Sequence, residues 1–246
     1  MDKSLYVAMT GAKEILQAQA VNNYNLANAN TTGFKADLSA FQSQAVVGTG
    51  YASRVYATDA TTGWDGNEGS VTTTGRSLDI ALQGQGLIAV QGPNGQEAYT
   101  RNGDLHLNPD GVLETSTGDP VLGDNGPITV PPSSSIKIGD DGTVSVVPLG
   151  ATPGTVANVG RIKLVNPPAA SLTRESGGLF QLTAGGTAPA DASVKIDSGA
   201  IESSNVDLAS AMVNMIDLAR SFDLQVKAMQ SADTNAQSTS QLLQTT

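Results

Sequence analysis

The chain of 246 residues predicts an α+β fold: a coiled-coil-like helix at each end, the two packed together, with a central antiparallel all-β domain between them. Three observations predict it. A heptad seam runs along the last forty or so residues, a second runs along the first thirty, and between them short apolar runs alternate with turn residues. The boundaries this implies are residues 1–40 for the N-terminal helix and the motif after it, 41–75 for a loop-rich connector, 76–200 for the β domain and 201–246 for the C-terminal helix.

The C-terminal seam is the stronger of the two. Alternate steps of four and three from Leu208 land on Met212, Met215, Ala219, Phe222, Val226, Met229, Asp233, Ala236, Ser240 and Leu243. Only Asp233 and Ser240 are polar, the pattern of a helix that lies along another helix. At ~1.5 Å per residue a helix over 205–243 is roughly 55 Å long, more than one small domain can cover. The competing reading is a core helix of a globular domain, but such helices seldom pass about 25 residues without a break. Ser204 or Asn205 is expected to cap it, since a short side-chain oxygen accepts an orphan amide hydrogen of the first turn.

The N-terminal seam takes the same steps through Leu5, Met9, Ala12, Leu16, Gln19, Asn23 and Leu26. Its second half is crowded with Asn22, Asn23, Asn25, Asn28 and Asn30. An asparagine in a seam lowers stability but specifies register, because its amide must find one particular partner. A solvated helix end fraying at Asn30 is the alternative. In Thr31-Thr32-Gly33-Phe34, Gly33 is expected to take the left-handed conformation that ends a helix, with Phe34 folding back on the seam.

The connector holds Phe41, Val46, Tyr51, Val55 and Tyr56 among Gly, Thr and Ser, enough for one or two strands, and Trp64 reads as a local anchor. From Leu78 onward apolar runs are short: Leu87–Val90, Ala98–Thr100, Leu105–Leu107, Val112–Leu113, Ile128–Val130, Ile136–Ile138, Val144–Val147, Val159–Val165, Leu179–Leu182 and Val194–Ile196. Asn94-Gly95, Asn102-Gly103, Asp110-Gly111 and Asp141-Gly142 separate several of them. Such dipeptides favour tight hairpins because both central residues must tolerate positive φ. A sandwich-like body or an irregular barrel follows.

Composition narrows the function. A net charge of −10 with only 13 Lys and Arg argues against nucleic acid, whose phosphates need clustered cations. Cysteine is absent, so disulfides and thiolate metal sites are ruled out. No run of 18 apolar residues predicts membrane insertion, and Met1-Asp2-Lys3-Ser4-Leu5-Tyr6 lacks the charged start and apolar run of a signal peptide. His106, the single histidine, sits between Leu105 and Leu107 and is expected to point out of its strand. Gly84-Gln85-Gly86 lacks the third glycine of a dinucleotide loop, and Asp140-Asp141 lacks a further carboxylate at calcium-loop spacing. No catalytic residue, metal site or cofactor is predicted. Arg101, ahead of a turn, is the charge to watch: it is expected to clamp a backbone carbonyl or a neighbouring subunit's carboxylate.

Asn25-Leu26-Ala27-Asn28 followed by Thr31-x-Gly33-Phe34-Lys35 resembles the signature of the axial proteins of the bacterial flagellum, the rod and hook family. The opening Met1-Asp2-Lys3-x-x-Tyr6-x-Ala8-Met9-x-Gly11-Ala12 is most similar to its proximal rod members of the F type. Leu78-Asp79-x-Ala81-x-x-Gly84-x-Gly86 and Tyr99-Thr100-Arg101-x-Gly103 resemble the family too, with Leu87-Ile88 where many members have two aromatic residues.

The resemblance implies terminal helices that form the inner tube of a rod spanning the periplasm, a β domain facing outward, and a structural role in carrying torque. It implies copies of itself and other rod proteins as partners, and export by the flagellum's own type III apparatus. The assembly interface expected on this basis comprises Leu5, Met9, Ala12, Leu16, Asn25, Leu26, Asn28, Gly33, Phe34, Leu208, Met212, Met215, Phe222, Val226, Met229 and Leu243. A distal rod or hook-family protein, a secreted β-domain hydrolase and an adhesin-like binding module are the other readings. Scarce aromatic residues, 4% of the chain, speak against a sugar hydrolase, and the adhesin leaves the Asn25–Phe34 block unexplained.

Overall fold

The computed structural model describes residues 3–45, 55–150, 155–175 and 177–244. Met1, Asp2, Val46, Tyr51 and the side chain of Leu243 lie outside the described residues. The chain divides into two compact units: Met1–Ala29 with Ala36–Asp65 and Val206–Thr246, and Asn30–Lys35 with Gly66–Asn205.

The first unit contains both terminal helices, α1 (Lys3–Ala27) and α2 (Leu208–Gln244), packed together, and an antiparallel pair, β1 (Asp37–Ala45) and β2 (Val55–Trp64), which also meets α1. Neither helix contains proline, and Ala, Leu, Met, Gln and Lys carry most positions, residues that lose little freedom in a helix. Gly11 lies where the Gln225 side chain passes 3.3 Å from the place a Cβ would take, so the glycine permits a close crossing of α1 and α2. The least exposed positions of α2 recur in steps of four and three at Ala211, Met215, Leu218, Phe222, Gln225, Met229, Ala232 and Ala236. Met215, Phe222, Met229 and Ala236 belong to the seam expected from sequence, while Leu208, Met212, Ala219 and Asp233 are exposed. Small side chains at Ala12, Ala18, Ala211 and Ala232 are buried and let the elements approach closely.

The cap of α2 differs from expectation. Asp207 supplies it: Oδ1 accepts from the amides of Ala209 at 3.0 Å and Ser210 at 3.4 Å, and Oδ2 accepts from Ser210 Oγ at 2.7 Å. Asn205 is engaged elsewhere, donating its amide to Phe34 O at 3.2 Å and its side-chain nitrogen to Asn67 O at 3.0 Å, so the helix starts later. Where one or two strands were expected in the connector, two are present and form one long ribbon, paired from Asp37↔Trp64 to Ala45↔Val55 with a bulge at Leu38/Ser39.

The second unit is all-β. Its strands are β3 (Val71–Thr73), β4 (Ile80–Gln83), β5 (Leu87–Gln91), β6 (Glu97–Thr100), β7 (Leu105–Leu107), β8 (Leu113–Thr115), β9 (Leu122–Gly123) and β10 (Gly126–Pro127). They continue as β11 (Ser133–Ile138), β12 (Thr143–Pro148), β13 (Ala157–Arg161), β14 (Leu164–Val165), β15 (Leu172–Arg174), β16 (Phe180–Leu182), β17 (Lys195–Ser198) and β18 (Ala200–Glu202). A five-stranded sheet has the order β14-β5-β6-β16-β15 and a three-stranded one β11-β12-β13; β4 pairs with β17, β3 with β18 and β7 with β8. Every pairing between these strands is antiparallel. Ile80, Ile88, Val90, Leu105, Leu113, Val144 and Ile196 lose all or nearly all exposure in one shared core. Each such side chain contributes about 1.5–3 kcal/mol relative to an exposed position.

Three of the four expected hairpin turns are present. Gly95, Gly111 and Gly142 have φ of 73°, 79° and 84° at the β5–β6, β7–β8 and β11–β12 turns. Asn102-Gly103 is a correction, because β6 and β7 belong to different sheets. A Cβ on Gly103 would meet Ile80 O, and the Gly103 carbonyl accepts the Ile80 amide at 2.9 Å. That glycine is required by close backbone approach.

Candidate assembly site

Within the β unit one buried carboxylate gathers segments far apart in sequence. Glu202, the last residue of β18, is 1% exposed, as is Lys35, and Arg101 is 5% exposed. Lys35 Nζ donates to Glu202 Oε1 at 2.7 Å and to Asn67 O at 2.6 Å. The Gly69 amide donates to the same Oε1 at 2.9 Å. Arg101 Nε donates to Glu202 Oε2 at 2.7 Å, while Nη2 lies 2.6 Å from that oxygen as an ion contact outside hydrogen-bond alignment. Arg101 Nη1 closes the arrangement by donating to Gly84 O at 2.9 Å and Gly86 O at 3.1 Å. Arg101 thus clamps carbonyls, as one of its two expected roles required, and the carboxylate it meets belongs to its own chain.

The segment that brings Lys35 here is held along its length. Gly33 has φ 67° and its amide donates to Glu202 O at 2.8 Å. A Cβ on Gly33 would lie 2.2 Å from the Arg101 carbonyl carbon, so both conformation and space demand glycine. Phe34, expected on the helix seam, is buried in the β unit with the Arg174 guanidinium 4.4 Å from its ring centroid. Arg174 also lies 5.5 Å from the Phe180 ring and donates Nη1 to Lys35 O at 2.6 Å. Cation–ring contacts of this kind strengthen when desolvated.

Electrostatics favours an ionised Glu202. Burial by itself would raise its pKa, but the Lys35 hydrogen bond, the Gly69 amide and Arg101 outweigh it and hold the carboxyl below its ordinary value. Burial pushes the Lys35 ammonium below the usual lysine range against the pull of Glu202. Two buried cations on one buried anion are retained because each polar atom of the anion has a partner.

Asn25 finds the particular partner its amide needs: Nδ2 donates to Asp37 O and Oδ1 accepts the Asp37 amide, both at 2.8 Å. Its neighbour Asn28 turns back on α1, donating Nδ2 to Tyr24 O at 2.9 Å. From the C-terminal part of α1, Asn22 Nδ2 donates to Ala211 O at 2.8 Å, a polar tie between the two helices. Of the other expected residues, Ala12 is buried; Leu5, Leu26, Met215, Phe222, Val226 and Met229 are half-buried. Met9 (54%), Leu16 (50%), Leu208 (44%) and Met212 (49%) are exposed, together with Tyr6, Val213, Ile216 and Leu224 (64%). The helices therefore bury mainly small residues against each other and leave large apolar ones open.

Glu202 and its pairing with Lys35 were missed in the sequence. The available signal was the alternation of Ala200-Ile201-Glu202, which places a carboxylate on the inward side of a strand. His106 is exposed on β7, and among the described residues no group of side chains is arranged to hold a metal ion. No described helix is long and apolar enough to cross a membrane.

Three family models match the chain: a flagella basal body rod protein model over residues 5–35, the D1 domain of the flagellar hook proteins FlgE/F/G over 81–146, and the C-terminal region of the basal body rod FlgEFG proteins over 197–242. The chain is 45% identical to the flagellar basal-body rod protein FlgF of Salmonella typhimurium over 99% of both chains. The chain belongs to the flagellar basal-body rod proteins. The FlgF of Escherichia coli is 43% identical over 99% of both, and the basal-body rod protein FlgG of Bacillus subtilis 30% identical over 95% of this chain and 96% of its own. In this rod protein the ion node takes one member from each matched segment: Lys35 from the first, Arg101 from the second and Glu202 from the third.

Proposed function

We propose that this chain is a structural subunit of the proximal rod of the flagellar basal body, assembling through α1 and α2 into the shaft that transmits torque. The observation that carries the reading is the set of large apolar side chains left open on both helices, Met9, Leu16, Leu208, Met212, Ile216 and Leu224 among them. Apolar surface of that kind gains about 25 cal/mol per Å² when a neighbour covers it. The neighbours are copies of the chain and other rod proteins, and the interface takes in the expected helix residues, from Leu5 to Asn28 and from Leu208 to Leu243, while Gly33 and Phe34 are buried within the chain's own β unit. Its work is mechanical and needs no catalysis or cofactor. It reaches the periplasmic rod through the flagellum's own type III apparatus. Identity of 45% and 43% to two relatives named FlgF, against 32% and 31% to two named FlgG, favours the proximal over the distal rod.

Because the chain has no cysteine, engineered thiols report contacts cleanly. Met9→Cys and Met212→Cys, tested singly in isolated basal bodies, are expected to resist alkylation in the rod and to react freely in the monomer. Equal reactivity in both states overturns the proposed interface.

A further inference from the structure

The backbone passes between the two units at 29/30, 35/36, 65/66 and 205/206. Each passage lies within a few residues of the Glu202 node. Gly33 and Lys35 hold the short excursion Asn30–Lys35, Asn67 and Gly69 hold the chain just after 65/66, and Glu202 with Asn205 holds it just before 205/206. These three stretches are also joined directly to one another: Gly33 N to Glu202 O at 2.8 Å, Asn205 N to Phe34 O at 3.2 Å, and Asn205 Nδ2 to Asn67 O at 3.0 Å. Outside them, Arg101 and Arg174 tie the bundle to the sheets, through Gly84 and Gly86 on one side and between Phe34 and Phe180 on the other.

We propose that Glu202 is the positioning residue of a collar that clamps every backbone passage into the β unit, so that strain on any one strand is shared by all. The proposal rests on the rod reading for its purpose, since a subunit under torsion receives force through those passages and nowhere else along its backbone. Its physical basis is independent of that reading. A single carboxylate with two cations and an amide on its oxygens couples three segments, so loosening one contact costs the others their partner. Covalent force on one strand would otherwise peel a short strand such as β18, which pairs with β3 over three residues.

The test is amide hydrogen exchange of the full chain, wild type against Glu202→Gln and Lys35→Met, with motility in media of rising viscosity as a second arm. Lys35→Met keeps the packed stem and removes only the ammonium, so it serves if Glu202→Gln does not fold. Exchange is expected to quicken roughly tenfold or more together at 30–35, 67–70 and 202–205, beyond whatever change the amides of β5 and β12 share through the unit's overall loss of stability. In cells, basal bodies are expected to form but swimming to fail at lower viscosity than for wild type. Quickening confined to the segment bearing the substitution overturns the collar, as does unchanged exchange in both variants. If wild-type chain is absent from basal bodies, the rod reading fails, and the exchange arm still decides the collar.

Discussion

At Glu202, stability becomes a function of pH. Its carboxyl is held below the ordinary 4.5, so near that pH the unfolded chain binds more protons than the folded one. The stabilisation is therefore complete above the ordinary carboxylate range and is lost as pH falls through the depressed folded value. Urea unfolding of the β unit is expected to show a midpoint that drops between pH 5 and 3 in wild type and drops less in Glu202→Gln, to which that proton no longer matters. At neutral pH the same substitution is expected to cost about 3–5 kcal/mol, because two buried cations lose their counter-charge. Gly33→Val meets two obstacles, a φ of 67° and the Arg101 backbone 2.2 Å from its Cβ. A loss of about 3 kcal/mol is expected, read from the same urea transition.

Helices and ribbons answer to different tests. Phe222 lies on the packing stripe of α2 between Leu218 and Gln225, half-buried in the first unit. Phe222→Asp is expected to abolish incorporation into basal bodies while near-UV and far-UV dichroism of the β unit persists, since that unit's buried core cluster is built from its own strands and turns. Normal motility in this variant would remove the stripe from the account. Asn25→Ala removes both hydrogen bonds between α1 and the start of β1. It is expected to cost about 1–2 kcal/mol and to speed exchange at the Asp37 amide, which loses its acceptor.

For the molecule as a whole, α2 has 37 residues, and its first half leaves Leu208, Met212, Val213, Ile216 and Leu224 uncovered in the single chain. A long helix gains most of its stability from packing, so the ends of a dilute monomer are expected to be the first to yield to protease. Limited proteolysis should leave a core holding residues near 30–35 and 66–205, and incorporation into rods should protect both helices. Termini as resistant in dilute monomer as in the rod would show that the chain satisfies itself. The same contrast explains how much was legible beforehand. Both helices, most strands from β5 to β17 and three glycine turns follow from periodicities of 3.6 and 2 and from residues that tolerate positive φ. The stripe on α2 was only half legible, because Met212 and Met215 look alike in sequence and only the position of α1 distinguishes them. The cap at Asp207 was obscured by nearer candidates, Ser204 and Asn205, that carry equally suitable oxygens.

By itself the sequence determined the two helices, the β character between them and, through its matching blocks, the family, because each rests on local pattern. Only the tertiary structure decided that Lys35, Arg101 and Glu202 meet, that Phe34 lies under Arg174, and that Gly103 is required by a neighbouring carbonyl. Those facts depend on which distant backbones come within about 3 Å of one another, the reach of a hydrogen bond. No periodicity along the chain encodes that distance.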